Sequence, residues 1–143
     1  MTYIELLPAD TVWMRFNVFA WISALGVVIT YTVIRIHGYI HHKPFRLIPT
    51  ILQCAFIPVI FLFLGNHYYL KRFYAVEWGP LNSIKLHYVY PEGRYIELYR
   101  ADAHYLRDRT GCSVKITTAH ESFTSNLTGN KQACRDVVNK LSH

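Results

Sequence analysis

The sequence predicts a membrane protein: a two-helix transmembrane hairpin followed by a small α+β domain of antiparallel strands and a C-terminal helix. Three observations carry that prediction. The 143 residues are 52% hydrophobic and only 17% charged, where a soluble domain carries about a quarter charged residues. Two long runs contain no charged residue at all. Beyond them the hydrophobic period changes from continuous to alternating. A mean hydropathy of +0.12 excludes a disordered chain, which needs low hydrophobicity and high charge. Too few residues remain outside the apolar part for a nucleotide-binding α/β enzyme of ordinary size.

The first run, Phe16 to Ile34, is bracketed by Arg15 and Arg35, and the second, Leu47 to Asn66, by Arg46 and Lys71-Arg72. Each has about the length that crosses a ~30 Å hydrocarbon layer at 1.5 Å per residue. Trp13, Trp21 and Tyr31 on the first, and Tyr68, Tyr69, Phe73 and Tyr74 after the second, suit aromatic belts at headgroup depth. Glu5 and Asp10 precede the first run and no basic leader does, which speaks against a signal peptide. Pro49 sits in the first turn of the second span, where it is tolerated; Pro58 is interior and predicts a kink or loosened hydrogen bonds. The spans hold no titrating side chain of the kind an ion path or proton relay uses, so an autonomous channel or pump is not expected.

Between the spans lies the basic loop Arg35 to Arg46, with His37, His41 and His42. Imidazoles suit zinc, copper and haem iron, and His37 and His41 would share a face of a continuing helix. The plainer reading is a basic interfacial loop that touches headgroups or a partner.

Residues 67–80 form an aromatic and basic interfacial bridge, ended by Gly79-Pro80. Ile84, Leu86, Tyr88 and Tyr90 then alternate with Lys85, His87 and Val89, a strand pattern. Pro91-Glu92-Gly93 is a turn, and Arg94 to Arg100 returns as the second arm of a hairpin. Ala101 to Thr110 reads as a polar irregular segment. Cys112 to Thr118 is a third strand, Ser122 to Leu127 a short fourth. An amphipathic helix closes the chain from about Asn130 to Ser142, with Ala133, Cys134, Val137, Val138 and Leu141 on its apolar stripe and Thr128 or Asn130 as N-cap. The division is therefore 1–66 for the hairpin (spans about 14–35 and 47–66), 67–80 for the bridge and 81–143 for the small domain.

The order of elements resembles that of small bacterial membrane proteins with a pleckstrin-homology-like tail. The residues that carry this are Cys112-Ser-Val-Lys-Ile-Thr-Thr118, Phe123-Thr-Ser-Asn126 and the closing helix with Val137, Val138 and Leu141. The resemblance implies a partly open barrel facing the cytoplasm, anchored in a bacterial inner membrane. It brings no catalytic signature, so no functional residue follows from it.

Net charge is +6, from 15 Lys+Arg against 9 Asp+Glu. Lys71, Arg72, Arg107 and Arg109 are candidate contacts for anionic headgroups or an acidic partner; the basic residues are too dispersed to suggest nucleic acid. Cys112 and Cys134 form a disulfide in an oxidising compartment and are buried thiols in the cytoplasm. Asn126-Leu127-Thr128 is a formal glycosylation sequon. Basic residues flanking the spans number three in the loop against four outside it, a near balance from which both termini are read as cytoplasmic. The expected role is non-catalytic, without a cofactor: an accessory or assembly subunit of a larger integral membrane complex. The alternatives are a metal- or haem-handling subunit using the loop histidines and an anionic-lipid sensor. A second copy of the chain is an admissible partner.

Overall fold

The computed structural model describes residues 2–142 and divides them into two compact units: residues 15–66, and residues 2–14 together with 67–142.

The first unit is a hairpin of two helices. Helix α1 runs Ala9–Ile40 and α2 runs Leu47–Gly65, with Pro58 inside it; one π-helical turn, Asn66–Leu70, extends the latter. Both are long and apolar enough to cross a membrane, and only 6% of the most apolar stretch of each is buried. They are therefore not core helices of this chain. Within the unit they meet along one seam, where Ser23 and Thr50 are buried and Phe19 lies 5.7 Å from Phe61. A methyl at Gly26 would stand 3.3 Å from Ile57 Cγ2, and one at Gly65 would stand 3.0 Å from the Phe16 ring. Small residues at such points let apolar helices approach closely. Away from the seam, Trp21, Leu52, Phe56 and Phe63 are exposed.

The second unit holds seven strands and a helix. Strands β1 (Thr2–Glu5), β2 (Ala75–Trp78), β3 (Ser83–His87) and β4 (Tyr95–Tyr99) form an antiparallel sheet in that order. Strands β5 (Asp102–Arg107), β6 (Cys112–Thr117) and β7 (Ser122–Thr124) form a second one. Helix α3 (Lys131–Leu141) packs on β5, β6 and β1. Its N-cap is Asn130, whose Oδ1 accepts from the Ala133 amide at 3.1 Å, the capping expected of that residue type.

The core between these elements contains Leu6, Phe73, Val76, Ile84, Leu86, Leu98, Val114, Ile116 and Val137. Each large side chain fully removed from water contributes about 1.5–3 kcal/mol. Strand β4 alternates: Leu98 is buried and Ile96 half-buried, while Tyr95, Glu97 and Tyr99 are exposed. Gly111 has a structural reason. A Cβ there would collide with the Thr128 carbonyl, because Cys112 and Thr128 exchange backbone hydrogen bonds of 2.8 and 2.9 Å.

Four sequence expectations are corrected. The segment before Met14 belongs to the small domain and not to the hairpin: β1 pairs with β2, Tyr3 opposite Glu77 and Ile4 opposite Val76. The bridge of residues 67–80 is not a separate element, since it supplies β2 and the fully buried Phe73 and Val76. The segment 101–110 is not irregular, because Asp102–Arg107 is β5, registered on β6 with Tyr105 opposite Val114. The first helix also extends beyond the expected span, to Ala9 and Ile40.

Candidate functional site

Three groups of residues carry the chemistry expected of this chain: the loop histidines, the cysteine pair and the basic surface residues. The structure treats them differently.

The loop begins where α1 ends. His42 has φ of 53°, its amide donates to the Tyr39 carbonyl at 3.3 Å, and the Lys43 amide donates to the Gly38 carbonyl at 2.9 Å. This pair of reversed bonds around a left-handed residue is a Schellman closure, with His42 in the place where glycine or asparagine is commonest. His42 thus has a conformational role, capping the helix. His37 and His41 stack one turn apart with ring centroids 4.3 Å from each other. The structure does not assemble His37, His41 and His42 into a metal site: among the described residues no three His, Cys, Asp or Glu side chains are grouped to hold an ion. The helix places two of the three on one face, and the cap turns the chain at the third.

Cys112, on β6, and Cys134, on α3, are both fully buried, and the structure joins them in a disulfide with a Cα–Cα distance of 6.6 Å. The bond ties the closing helix to the second sheet. The remaining cysteine, Cys54 on α2, is free.

Of the candidate basic contacts, Lys71 is exposed, and the Arg72 guanidinium lies over the Tyr68 ring, 5.2 Å from its centroid. Arg107 ends β5 opposite Cys112, and Arg109 sits in the exposed turn that follows, where its amide donates to Asp108. The two pairs lie on separate segments. A single strip links them, because Asn126 bonds to residues 69–73 and Thr128 pairs with Cys112.

Asn126 is the residue whose role its sequence context misstates. It is 1% exposed, and its Nδ2 donates to the carbonyls of Tyr69 at 3.3 Å, Arg72 at 2.9 Å and Phe73 at 3.5 Å. An amide so engaged is not available as a sugar acceptor. It is a clamp that holds the segment leaving α2 against the domain.

Compared with known proteins, the chain matches no family model, no curated sequence and no solved structure. Its own geometry therefore carries the functional argument.

The outer face of the first sheet adds a polar cluster that the sequence does not advertise. His87 Nε2 is 2.9 Å from Glu77 Oε2, on neighbouring strands. Tyr3 and Tyr95 flank the imidazole at 5.8 and 6.1 Å, and Lys85 lies 5.0 Å from the centre of the Tyr95 ring. The Tyr3 hydroxyl is pushed up to about 12 by burial first, then by Tyr74 and Glu5. Such a face can accept hydrogen bonds and stack on a partner.

Proposed function

We propose that this chain is a membrane-anchored accessory subunit whose small domain is presented to a larger integral membrane partner. The observation that carries the reading is the pairing of β1 with β2. These strands lie on either side of the hairpin in sequence, so the domain is stitched to both ends of its anchor. The domain is not an appendage of one end of the hairpin; it is built from chain on both sides of it. The helices contribute a second argument. They pack on one another along a single seam and leave bulky apolar side chains such as Trp21 and Phe56 outside it, a surface that lipid or partner helices are suited to cover.

The same element order supports the pleckstrin-homology-like reading of the domain. Sheets of four and three strands with a closing C-terminal helix agree with the partly open barrel which that resemblance implies, with the hairpin placed between its first two strands.

The cysteine pair favours an orientation opposite to the one read from flanking charge and to the cytoplasmic placement that the resemblance implies, so only the barrel architecture is kept from that resemblance. Disulfides persist on the oxidising side of a membrane, and flanking charges of three against four weigh little. In this reading the domain and both termini are extracytoplasmic, and the basic loop Arg35 to Arg46 faces the cytoplasm, the side on which short loops are enriched in Lys and Arg.

Gentle detergent extraction from cells that make the chain at its native level tests the accessory role. A stoichiometric larger membrane protein is expected to co-purify. Recovery as a stable, monodisperse, partner-free monomer overturns it. Impermeant maleimide applied to intact cells tests the orientation in a Glu92→Cys variant, at an exposed turn of the domain: the new thiol reacts if the domain is outside, and stays unlabelled until the cells are broken if it is cytoplasmic.

A further inference from the structure

The hairpin carries a positive charge cluster for which its own segment supplies no counter-ion. From residue 11 to residue 76 the sequence contains no Asp or Glu. Within this stretch, Arg35, His37, Lys43 and Arg46 line one cleft of about 690 Å³ at the turn between α1 and α2, with Thr50 and Gln53 as further polar lining. The Arg35 guanidinium lies over the Phe45 ring, 4.5 Å from its centroid, a contact that favours this placement of the cation.

The backbone adds to the same field. Helix α2 begins at Leu47 with no acidic residue in its first turn, and Arg46, its N-cap, supplies no side-chain acceptor. The Leu47 and Ile48 amides are among the donors that a helix start leaves without intrahelical partners, and the positive end of the helix dipole coincides with the basic cluster. An anion is thus favoured by side-chain charge, by backbone donors and by the dipole together.

We infer that this cleft binds a phosphate group, and that its source is the headgroup of an anionic phospholipid. Resting on the membrane reading above, the cleft lies at the end of two lipid-spanning helices, where phosphodiester groups are concentrated. Arginine matches a phosphate with paired donors, and the apolar Ile34, Phe45 and Pro49 at the lining suit the glycerol and upper acyl chain that accompany it.

The test uses the full chain reconstituted into phosphatidylcholine nanodiscs with and without phosphatidylglycerol, then released for native mass spectrometry. One phosphatidylglycerol per chain is expected to be retained. The triple variant Arg35→Gln, Lys43→Gln, Arg46→Gln should weaken retention roughly a hundredfold. A charge-matched triple in the small domain, Lys115→Gln, Lys131→Gln, Arg135→Gln, should leave it unchanged. Inorganic phosphate serves as the second probe: competition with retained lipid supports recognition of the phosphate group, whereas phosphate binding without lipid retention overturns the headgroup as source. Equal loss in both triples, or binding of neither probe, overturns the site. A chain that fails to enter phosphatidylcholine nanodiscs sinks the membrane reading itself. One that enters them and retains no phosphatidylglycerol sinks the headgroup proposal alone.

Discussion

The Asn126 side-chain amide donates to the Arg72 carbonyl at 2.9 Å across 54 positions of sequence. This contact, with those to Tyr69 and Phe73, fastens the chain leaving α2 to the strip between the second sheet and α3. Replacing Asn126 with alanine strands buried carbonyls at a cost of about 1–3 kcal/mol. Asn126→Asp should be at least as damaging, since an ionised carboxylate turns its oxygens toward carbonyl oxygens. Thermal melts of the detergent-solubilised variants read the loss; an unchanged midpoint in both would show that the clamp is dispensable.

The disulfide closes a loop with a sequence separation of 22. Constraint of the unfolded chain by a loop of that size is worth about 3 kcal/mol. The double variant Cys112→Ala, Cys134→Ala should unfold at a clearly lower urea concentration than the oxidised protein. Adding reductant should lower the midpoint of the wild type and leave that of the variant where it is.

Leu6 lies just past β1 and is 2% exposed in the core of the small domain. Leu6→Ala should cost about 2–5 kcal/mol, a loss expected of a core residue and not of an exposed N-terminal tail. Hydrogen exchange gives the sharper test. The β2 amides should lose protection in this variant, and equal protection in the two proteins would detach the N-terminal segment from the sheet.

The Tyr88 hydroxyl is pushed up to about 12 by burial, opposed in part by Arg94, whose guanidinium lies 5.1 Å from the ring centre. For this acid a raised folded pKa favours the neutral phenol. The associated stability is complete below the free value of 10 and disappears as pH rises through about 12. The domain should therefore weaken across that interval, and Tyr88→Phe should flatten this alkaline loss. Denaturant titrations at stepped pH follow it; identical slopes for the two proteins would exclude Tyr88 as the source.

How much of this was legible depended on whether a signal was local. Uncharged runs announce the helices, strict alternation announces β3, β4 and β6, and Asn130 announces the start of α3. Strand β5 escaped because only Ala103 and Tyr105 are half-buried along it while its other side chains are exposed, so its polar residues look like a loop. Strand β1 escaped for a different reason. Four residues ahead of a long apolar run carry no pattern of their own, and what makes them a strand is β2, beyond the far end of the hairpin. In the candidate site, charge and cysteine spacing could be read, but not that His42 would be used by a helix cap. Nor did the Asn-Leu-Thr triplet hint that Asn126 faces backbone carbonyls.

The split between β1 and β2 also orders events during synthesis. Strand β1 leaves the ribosome first and must wait until both long helices have been made before its partner exists. If the hairpin spans a membrane, as proposed above, correct insertion brings both ends out on one side and the sheet can close, whereas failure of one helix to cross leaves β1 and β2 on opposite faces of the bilayer. A mis-inserted chain then lacks Leu6 in its core and exposes the edge of β2. On the proposed membrane reading, completion of the small domain doubles as a built-in report that its anchor has been threaded correctly.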